Sequence, residues 1–553
     1  MNFKLTILFY QNFEKDTSLL LEFTKKSLSL SLVSILSMGI LVTSFEGCSK
    51  KKSNNDTLVY AKPKDAITLD PGDISESESS GVSQNIFETL VNYKDESTEI
   101  EPALAESWET SPDGLTWTFH LKKGVKFHDE TEFNSEAVKF NYDRQMDSKS
   151  PYRFNGKFEY WHLFFGNVLE TQAKDPLTVV FKLKDKDPVF LANLALFTMG
   201  IASPTAIKKF GKDTFKNPVG TGPFTFVSWA QNEKLLLKSN QNYWGEKPKI
   251  KQLIFKPIAD NSVRLLELEK GSIQGMDSVS PDNLEKIEAN KDLQVLKQDG
   301  LNVSYLSINT QKPPFDNPKV RLAMNYAINK DELVKAFYFN GTVASVAKNP
   351  LPPTQWGYND SILPYKYDLE KAKQLIKESG VDLSKTFELW APPPRSYMSQ
   401  PQKVAEAIQA DFKKIGLNTK IITYELGTYF EKISKGEDDM CIMGWIGDNG
   451  DPDNFLYVFF SSKNRVKGSA SNYAFYKNEE MDKLLDAAKK EMDHQKRVDM
   501  YMRAQEVFHK DVPWVTLFHT KQIAVFRSNV SGYKLHPVGA KIFKNVYFNN
   551  KPE

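Results

Sequence analysis

A chain of 553 residues, 26% charged and 40% hydrophobic, is too long for one core and too balanced for a disordered or polytopic protein. Two or three domains are expected. Its 72 basic and 70 acidic residues leave a net charge of +2, which excludes a nucleic-acid or polybasic membrane surface as the organising feature. Aromatic residues make up 12%; that content suits a ligand cleft as well as a large core.

The first signal in chain order is a leader. Lys25 and Lys26 precede the apolar run 27-SLSLSLVSILSMGILVTSF-45, and a basic region before an apolar one describes a secretory signal. Gly47-Cys48, followed by the polar 49-SKKKSNND-56, resembles a bacterial lipoprotein cleavage site. Residues 1–48 are therefore expected to hold a signal peptide with cleavage before Cys48. Lipidation of Cys48 would leave 49–56 as a tether. A plain anchor or an unmodified signal is the competing reading. Cys48 and Cys441 are the two cysteines, so no disulfide framework is expected, and Cys441 reads as a small buried hydrophobe. No later apolar run approaches the ~18–20 residues that span a bilayer.

Beyond the tether, 57-TLVYAKPKDAITLDP-71 reads as a strand and turn. Residues 79–93 read as a helix with Val82, Ile86 and Leu90 on one face. The run 107-SWETSPDGLTWTFHL-121 alternates apolar residues about a Pro-Asp-Gly turn and reads as a hairpin. Asn134 is a suitable N-cap for a helix carrying Val138 and Tyr142. Strands follow at 177–184, after the Gly-Pro turn of 217-NPVGTGPFTFVSW-229, and at 251–256. Residues 260–270 read as a helix with Val263 and Leu266 inward. A strand at 301–309 is expected to lead from one domain to another, followed by helices at 318–328, 331–339 and 368–379. In 401-PQKVAEAIQADFKKIG-416, Val404, Ile408 and Phe412 line one face, Pro401 starts the helix and Gly416 ends it. That helix leads into the strand 419–425. The alternation of strand and helix is that of a doubly wound α/β domain. Last, the apolar run 441-CIMGWI-446 stops at three aspartates in 447-GDNGDPDNF-455.

The stretch LAESWETSPDGLTWTFHLKKGVKFHD, then GTGPF, NYWGEKPKI and GWIGDNGDPDNF, resembles the family 5 extracellular solute-binding proteins of ABC transporters. Within that family the GWIGDNGDPDNF and WAPPPRSY segments are similar to the dipeptide-binding branch. The resemblance covers residues 57–550. It implies a Venus-flytrap of the type II periplasmic binding protein kind, with two α/β lobes and an additional inserted domain. Domain I would be 57–87, 205–298 and 516–553. The insertion, domain II, would be 88–204, and domain III 299–515. Crossings near 299–302 and 512–518 would form the hinge. The implied protein is a monomer on the periplasmic face of a bacterial membrane, held by its lipid anchor. It would bind short peptides without a cofactor or metal and deliver them to a permease, with no nucleic-acid partner and no enzymatic step.

A free dipeptide is a zwitterion with its charges about 5–6 Å apart, and burying either charge unanswered costs several kcal/mol. The resemblance assigns the α-amino group to Asp448 and the α-carboxylate to Arg395, in 391-APPPRSY-397. An arginine fork can bond both carboxylate oxygens. Tyr397 and Trp445 could line a side-chain pocket or pack the core. Gly444 would let backbone approach a ligand, or mark a bulge. Ser75 could bond peptide backbone. Asp451 and Asp453, flanking Pro452, read as turn-makers and helix caps.

Rival readings stay open. Longer peptides, haem or another zwitterion such as aminolevulinate could occupy the same fold. A surface adhesin or chaperone is the rival of a different class. An enzyme would need a nucleophile or metal beside the aspartates. The seven histidines show no metal-ligand spacing, and Pro452 breaks any calcium loop in DNGDPD. No P-loop, G-x-S-x-G or H-E-x-x-H occurs.

Overall fold

One strand, Trp514–Arg527, is 14 residues long, against about 5–6 for an ordinary strand, and so it serves two sets of neighbours. Its first half pairs antiparallel with Asn302–Ile308. Its second half pairs with Gly275–Asp277 and Leu293–Asp299. On the first side the sheet continues through Met440–Ile446, Phe387–Ala391 and Thr419–Thr423. On the other it continues through Gly275–Asp277, Thr57–Lys62, Gln252–Pro257, Lys234–Ser239 and Phe224–Ala230. The result is a 12-stranded sheet in a mixed α/β fold. The structure is a computed structural model. It describes residues 56–549 except 155, 383 and 396, so the leader, the Cys48 lipidation site and most of the tether lie outside the described residues. No helix among the described residues is long and apolar enough to cross a membrane.

The chain passes between the two halves of the sheet at 300–301 and again at His519–Thr520, where the long strand changes partners. Asn302 ties these crossings together. Its side chain donates to Thr520 O at 2.7 Å and accepts from Thr520 N at 2.8 Å. The His519 ring faces Asn302 O at 2.7 Å, and burial lowers its pKa to about 4. Gly300 is needed for this approach, because a Cβ there would lie 2.8 Å from Thr520 O.

A second sheet of four antiparallel strands runs Ala105–Thr110, Thr116–Leu121, Thr178–Leu183 and Val168–Asp175. The expected hairpin is its first pair, closed by Gly114 N–H on Ser111 O at 2.8 Å with Gly114 at φ +72. This insert has a core of its own, in which Phe119, Tyr142, Val179 and Leu194 are fully buried. Asn134 caps the helix Ser135–Met146 by accepting from Ala137 N, as expected. In the large sheet, Phe387–Ala391 and Thr419–Thr423 are parallel. The helix Pro401–Lys413 between them buries Val404, Ile408 and Phe412 completely. Cys441 is a free, buried thiol.

Two expectations fail for stated reasons. The segment 79–93 is not one helix: it is helical only over Ser77–Ser83, turns, and becomes the strand Val91–Tyr93. Ile86 and Leu90 are buried all the same, but the carbonyls of Asn85 and Ile86 accept from Phe224 N and Gly222 N, which pulls the backbone out of the helix. In the helix Asn261–Glu269, Val263 and Leu266 point outward at 47% and 46% exposure, and Leu265 and Leu268 point inward. The turn is rotated because Arg264 is buried too, donating to the carbonyls of Ile258, Ala259 and Ser278.

Three of the motifs that carry the resemblance, GTGPF, NYWG and KFHD, converge on one carboxylate. Glu88 accepts from Tyr243 Oη at 2.6 Å, Trp244 Nε1 at 2.8 Å and Thr221 Oγ1 at 2.8 Å. Burial raises its pKa against these three donors. His128 joins the same knot through Gly220 O and Gly222 O. A Cβ on Gly222 would stand 2.7 Å from Ile86 O. These residues bind the insert to the first half of the sheet. Glu88→Ala would strand three donors; a loss of about 3 kcal/mol is expected, measured as a lower urea midpoint at unchanged slope.

Candidate functional site

Met440–Ile446 is a buried strand whose neighbours are Asn302–Ile308 and, in parallel, Phe387–Ala391. The loops leaving the carboxyl ends of these two parallel strands carry Asp448 and Arg395. Adjacent strands lie about 4.7–4.9 Å apart, so both side chains leave the same edge of the sheet. That edge is where open α/β sheets bind ligands.

The three aspartates have three different surroundings. Asp448 is partly buried and accepts from Tyr160 Oη at 2.9 Å. Its own N–H donates to Asn454 Oδ1, which also holds Trp445 Nε1. Burial raises its pKa to about 6, opposed by the bonds from Tyr160 and Asn454. Among the described residues no cation pairs with it. Asp451 is committed elsewhere. It makes a two-pronged bond to Arg497, 2.8 Å on each oxygen, with both side chains 5% exposed. It also accepts from Asp453 N at 3.0 Å, the turn-making role expected of it. Asp453 opens the helix Asp453–Phe460. Burial raises its pKa to about 7, and Lys489 stands 3.9 Å away.

Arg395 is half-buried in a tight loop closed by reciprocal backbone bonds with Met398 at 2.9 and 3.0 Å. Its guanidinium lies 6.0 Å from the Tyr397 ring centre. No carboxylate among the described residues pairs with it, and its buried Nε has no partner there. Tyr397 is buried at 6% exposure. Its ring fills the space beside Gly444, where a Cβ would lie 3.0 Å from Tyr397 Cγ. A side chain at position 444 would thus meet the Tyr397 ring. Trp445 is partly buried and packs edge-on to Phe459 at 5.1 Å. Ser75 is exposed, between the short turn Pro71–Asp73 and the helix Ser77–Ser83, with no hydrogen bond among the described residues. Beside the Arg395 loop lies an open groove of about 630 Å³, walled by Pro392–Pro394, Gln402, Lys403 and Tyr424.

Three residues of this site escaped the sequence. Tyr160 sits in the aromatic run FEYWHLF, where nothing marks one ring from the next. Asn454 is the one buried polar residue of its helix, and Arg497 shares the buried face of His494–Asp511 with Gln505. A buried arginine at that place is a signal, but its partner 46 positions away is not. Among the described residues no group of three or more His, Cys, Asp or Glu is placed to hold a metal.

Residues 99–467 match the family described as bacterial extracellular solute-binding proteins, family 5 Middle. The chain is 40% identical to the dipeptide-binding protein of Escherichia coli strain K12 over 477 residues, 83% of this chain and 88% of that one. It is 39% identical to heme-binding protein A of Haemophilus influenzae over 518 residues, 91% and 94% of the two chains. The structure of the ABC transporter-associated periplasmic binding protein DppA from Helicobacter pylori, in complex with peptide STSA, is similar at a TM-score of 0.76 and 38% identity. That match covers 89% of this chain and 98% of the other.

The loop's anchor is open to test. Arg497→Met would leave Asp451 buried without its partner, and a loss of about 3–5 kcal/mol in urea unfolding is expected. Lys489→Met, which removes an exposed partner at 3.9 Å, is expected to cost under about 1 kcal/mol.

Proposed function

The chain belongs to family 5 of the bacterial extracellular solute-binding proteins, and we propose that it captures dipeptides and other short peptides in its interlobe cleft for the permease of an ABC importer. One observation carries the ligand. Asp448 and Arg395 leave neighbouring parallel strands, and neither has a partner of opposite charge among the described residues. A peptide's ammonium and carboxylate answer both. Affinity then comes from the two termini, and side chains can vary because water can fill unused space. In this reading Asp448 takes the amino group and Arg395 the carboxylate. Tyr397 positions Arg395 across Gly444, Trp445 lines the loop, and Ser75 meets peptide backbone from the facing lobe. The lobes would be 57–87, 205–298 and 516–553 against 299–515, with 88–204 as the insertion. Lipid on Cys48 would hold a monomer at the periplasmic face.

A second reading has support in the groove of about 630 Å³ beside Arg395. Peptides of three or four residues could extend into it, and the Helicobacter pylori relative is described with the four-residue peptide STSA. Haem, named for the Haemophilus influenzae relative, carries carboxylates and no amine, so it would leave Asp448 unanswered.

Calorimetric titration with free and N-acetylated dipeptides tests the clamp. Acetylation and Asp448→Asn are each expected to weaken binding at least 100-fold, about 2.7 kcal/mol. Equal binding of acetylated dipeptides would sink the assignment. The same titration has a pH signature. The ionised carboxylate binds the ammonium, and Asp448 takes up its proton near pH 6. Affinity is therefore expected to be highest near pH 7, to fall by up to about tenfold per unit below about pH 6, and to fall again above about pH 8 as the peptide's own ammonium loses its proton; Asp448→Asn should remove the acid slope and leave the alkaline one.

A further inference from the structure

The loop 447–453 carries more recognition than a ligand clamp requires. Asp448 meets the four-stranded insert through Tyr160, and the next two residues meet the insert as well. The Asn449 amide donates to Asn193 Oδ1 at 2.7 Å, and these side chains are 2% and 4% exposed. Gly450 lies against Thr98, in the turn that joins Val91–Tyr93 to Ile100–Pro102. A Cβ at position 450 would overlap the Thr98 Cβ and lie 2.7 Å from its Oγ1. Gly450 is not among the glycines with positive φ, so the backbone does not require glycine there. The contact does. Nor can the loop recede, because Gln355 Nε2 holds Gly450 O at 2.6 Å and Arg497 holds Asp451.

The two sides of this contact belong to different halves of the sheet. The insert is bound to the first half through Glu88 and His128. The loop is bound to the second half. Only the crossings at 300–301 and 519–520 join those halves along the backbone. We propose that Asn449 and Gly450 are the seat on which the insert lands when the lobes close, and that this seat sets the extent of closure and hence the tightness of ligand capture. For its ligand the inference rests on the short-peptide reading; its geometry does not. A receptor that holds ligand only when closed loses apparent affinity in proportion to its closed fraction. Gly450 therefore acts as a positioning residue for Asp448 and Tyr160, which it does not touch.

The experiment uses the full chain with Cys48→Ser, and dialanine as probe. Gly450→Ala is expected to weaken dialanine binding at least tenfold while the melting temperature without ligand stays within a few degrees. Adding Thr98→Gly removes the opposing Cβ and should restore affinity. A second readout needs no ligand: Asn193→Cys with Asn449→Cys, bridged by a short bismaleimide, reports closure. Cys441 is buried and stays silent. Gly450→Ala should cut the bridging yield and Thr98→Gly should recover it. Unchanged affinity and bridging in Gly450→Ala, or a loss that Thr98→Gly does not repair, would overturn the seat. If the unsubstituted chain binds no dialanine, the short-peptide reading fails, and the bridging yield decides the seat alone.

Discussion

The strand Trp514–Arg527 is the constraint on which the rest depends. Two half-sheets hang from it, and its 14 residues pair with strands of both. A strand shared in this way cannot slip by one residue, because a slip turns every side chain to the opposite face. The Asn302 knot holds it in register where the pairing changes partners. The backbone there is closely packed, with His519 kept neutral by burial.

On that frame the loop after Met440–Ile446 divides its work by residue. Asp451 is spent on anchoring, and its bidentate pair with Arg497 makes the loop a fixed object. Asp453 starts a helix. Asp448, between the strand and the anchor, is left with one neutral donor, Tyr160. An unpaired carboxylate in partial burial is unstable unless something offsets it, and here its pKa rises to about 6. Arg395 is its counterpart, a cation in a loop pinned by Met398 and Tyr397. In the short-peptide reading, two charges held ready in the free protein would lower the ordering cost at the moment of binding.

The family's recognisable motifs serve a different purpose. GTGPF, NYWG and KFHD do not line the cleft-edge site. They meet at Glu88 and fasten the insert to the first half-sheet. Such motifs are legible because buried hydrogen-bonding groups and glycines under steric contact tolerate few replacements. They identify the architecture; in the short-peptide reading the ligand is left to Asp448 and Arg395.

Much of this was legible in the linear chain. The hairpin at 107–121, the Asn134 cap, the amphipathic helix after Pro401 and the buried Cys441 follow from local chemistry. So does the turn-making place of Asp451 before Pro452 and a helix. The helix over 79–93 was misread because its apolar spacing satisfies burial in more than one backbone path, and the carbonyls of Asn85 and Ile86 were claimed by a strand over 130 residues away. Val263 and Leu266 were misplaced because a buried arginine turned the helix. Tyr160, Asn193, Thr98 and Arg497 gained their roles only through the approach of distant elements. The sequence by itself determined the periodic faces, caps and turns, since these depend on neighbours within a few residues. Only the tertiary structure decided which polar groups meet, because a hydrogen bond between Asn193 and Asn449 depends on how the sheet brings two far segments within 3 Å, and no local pattern records that distance.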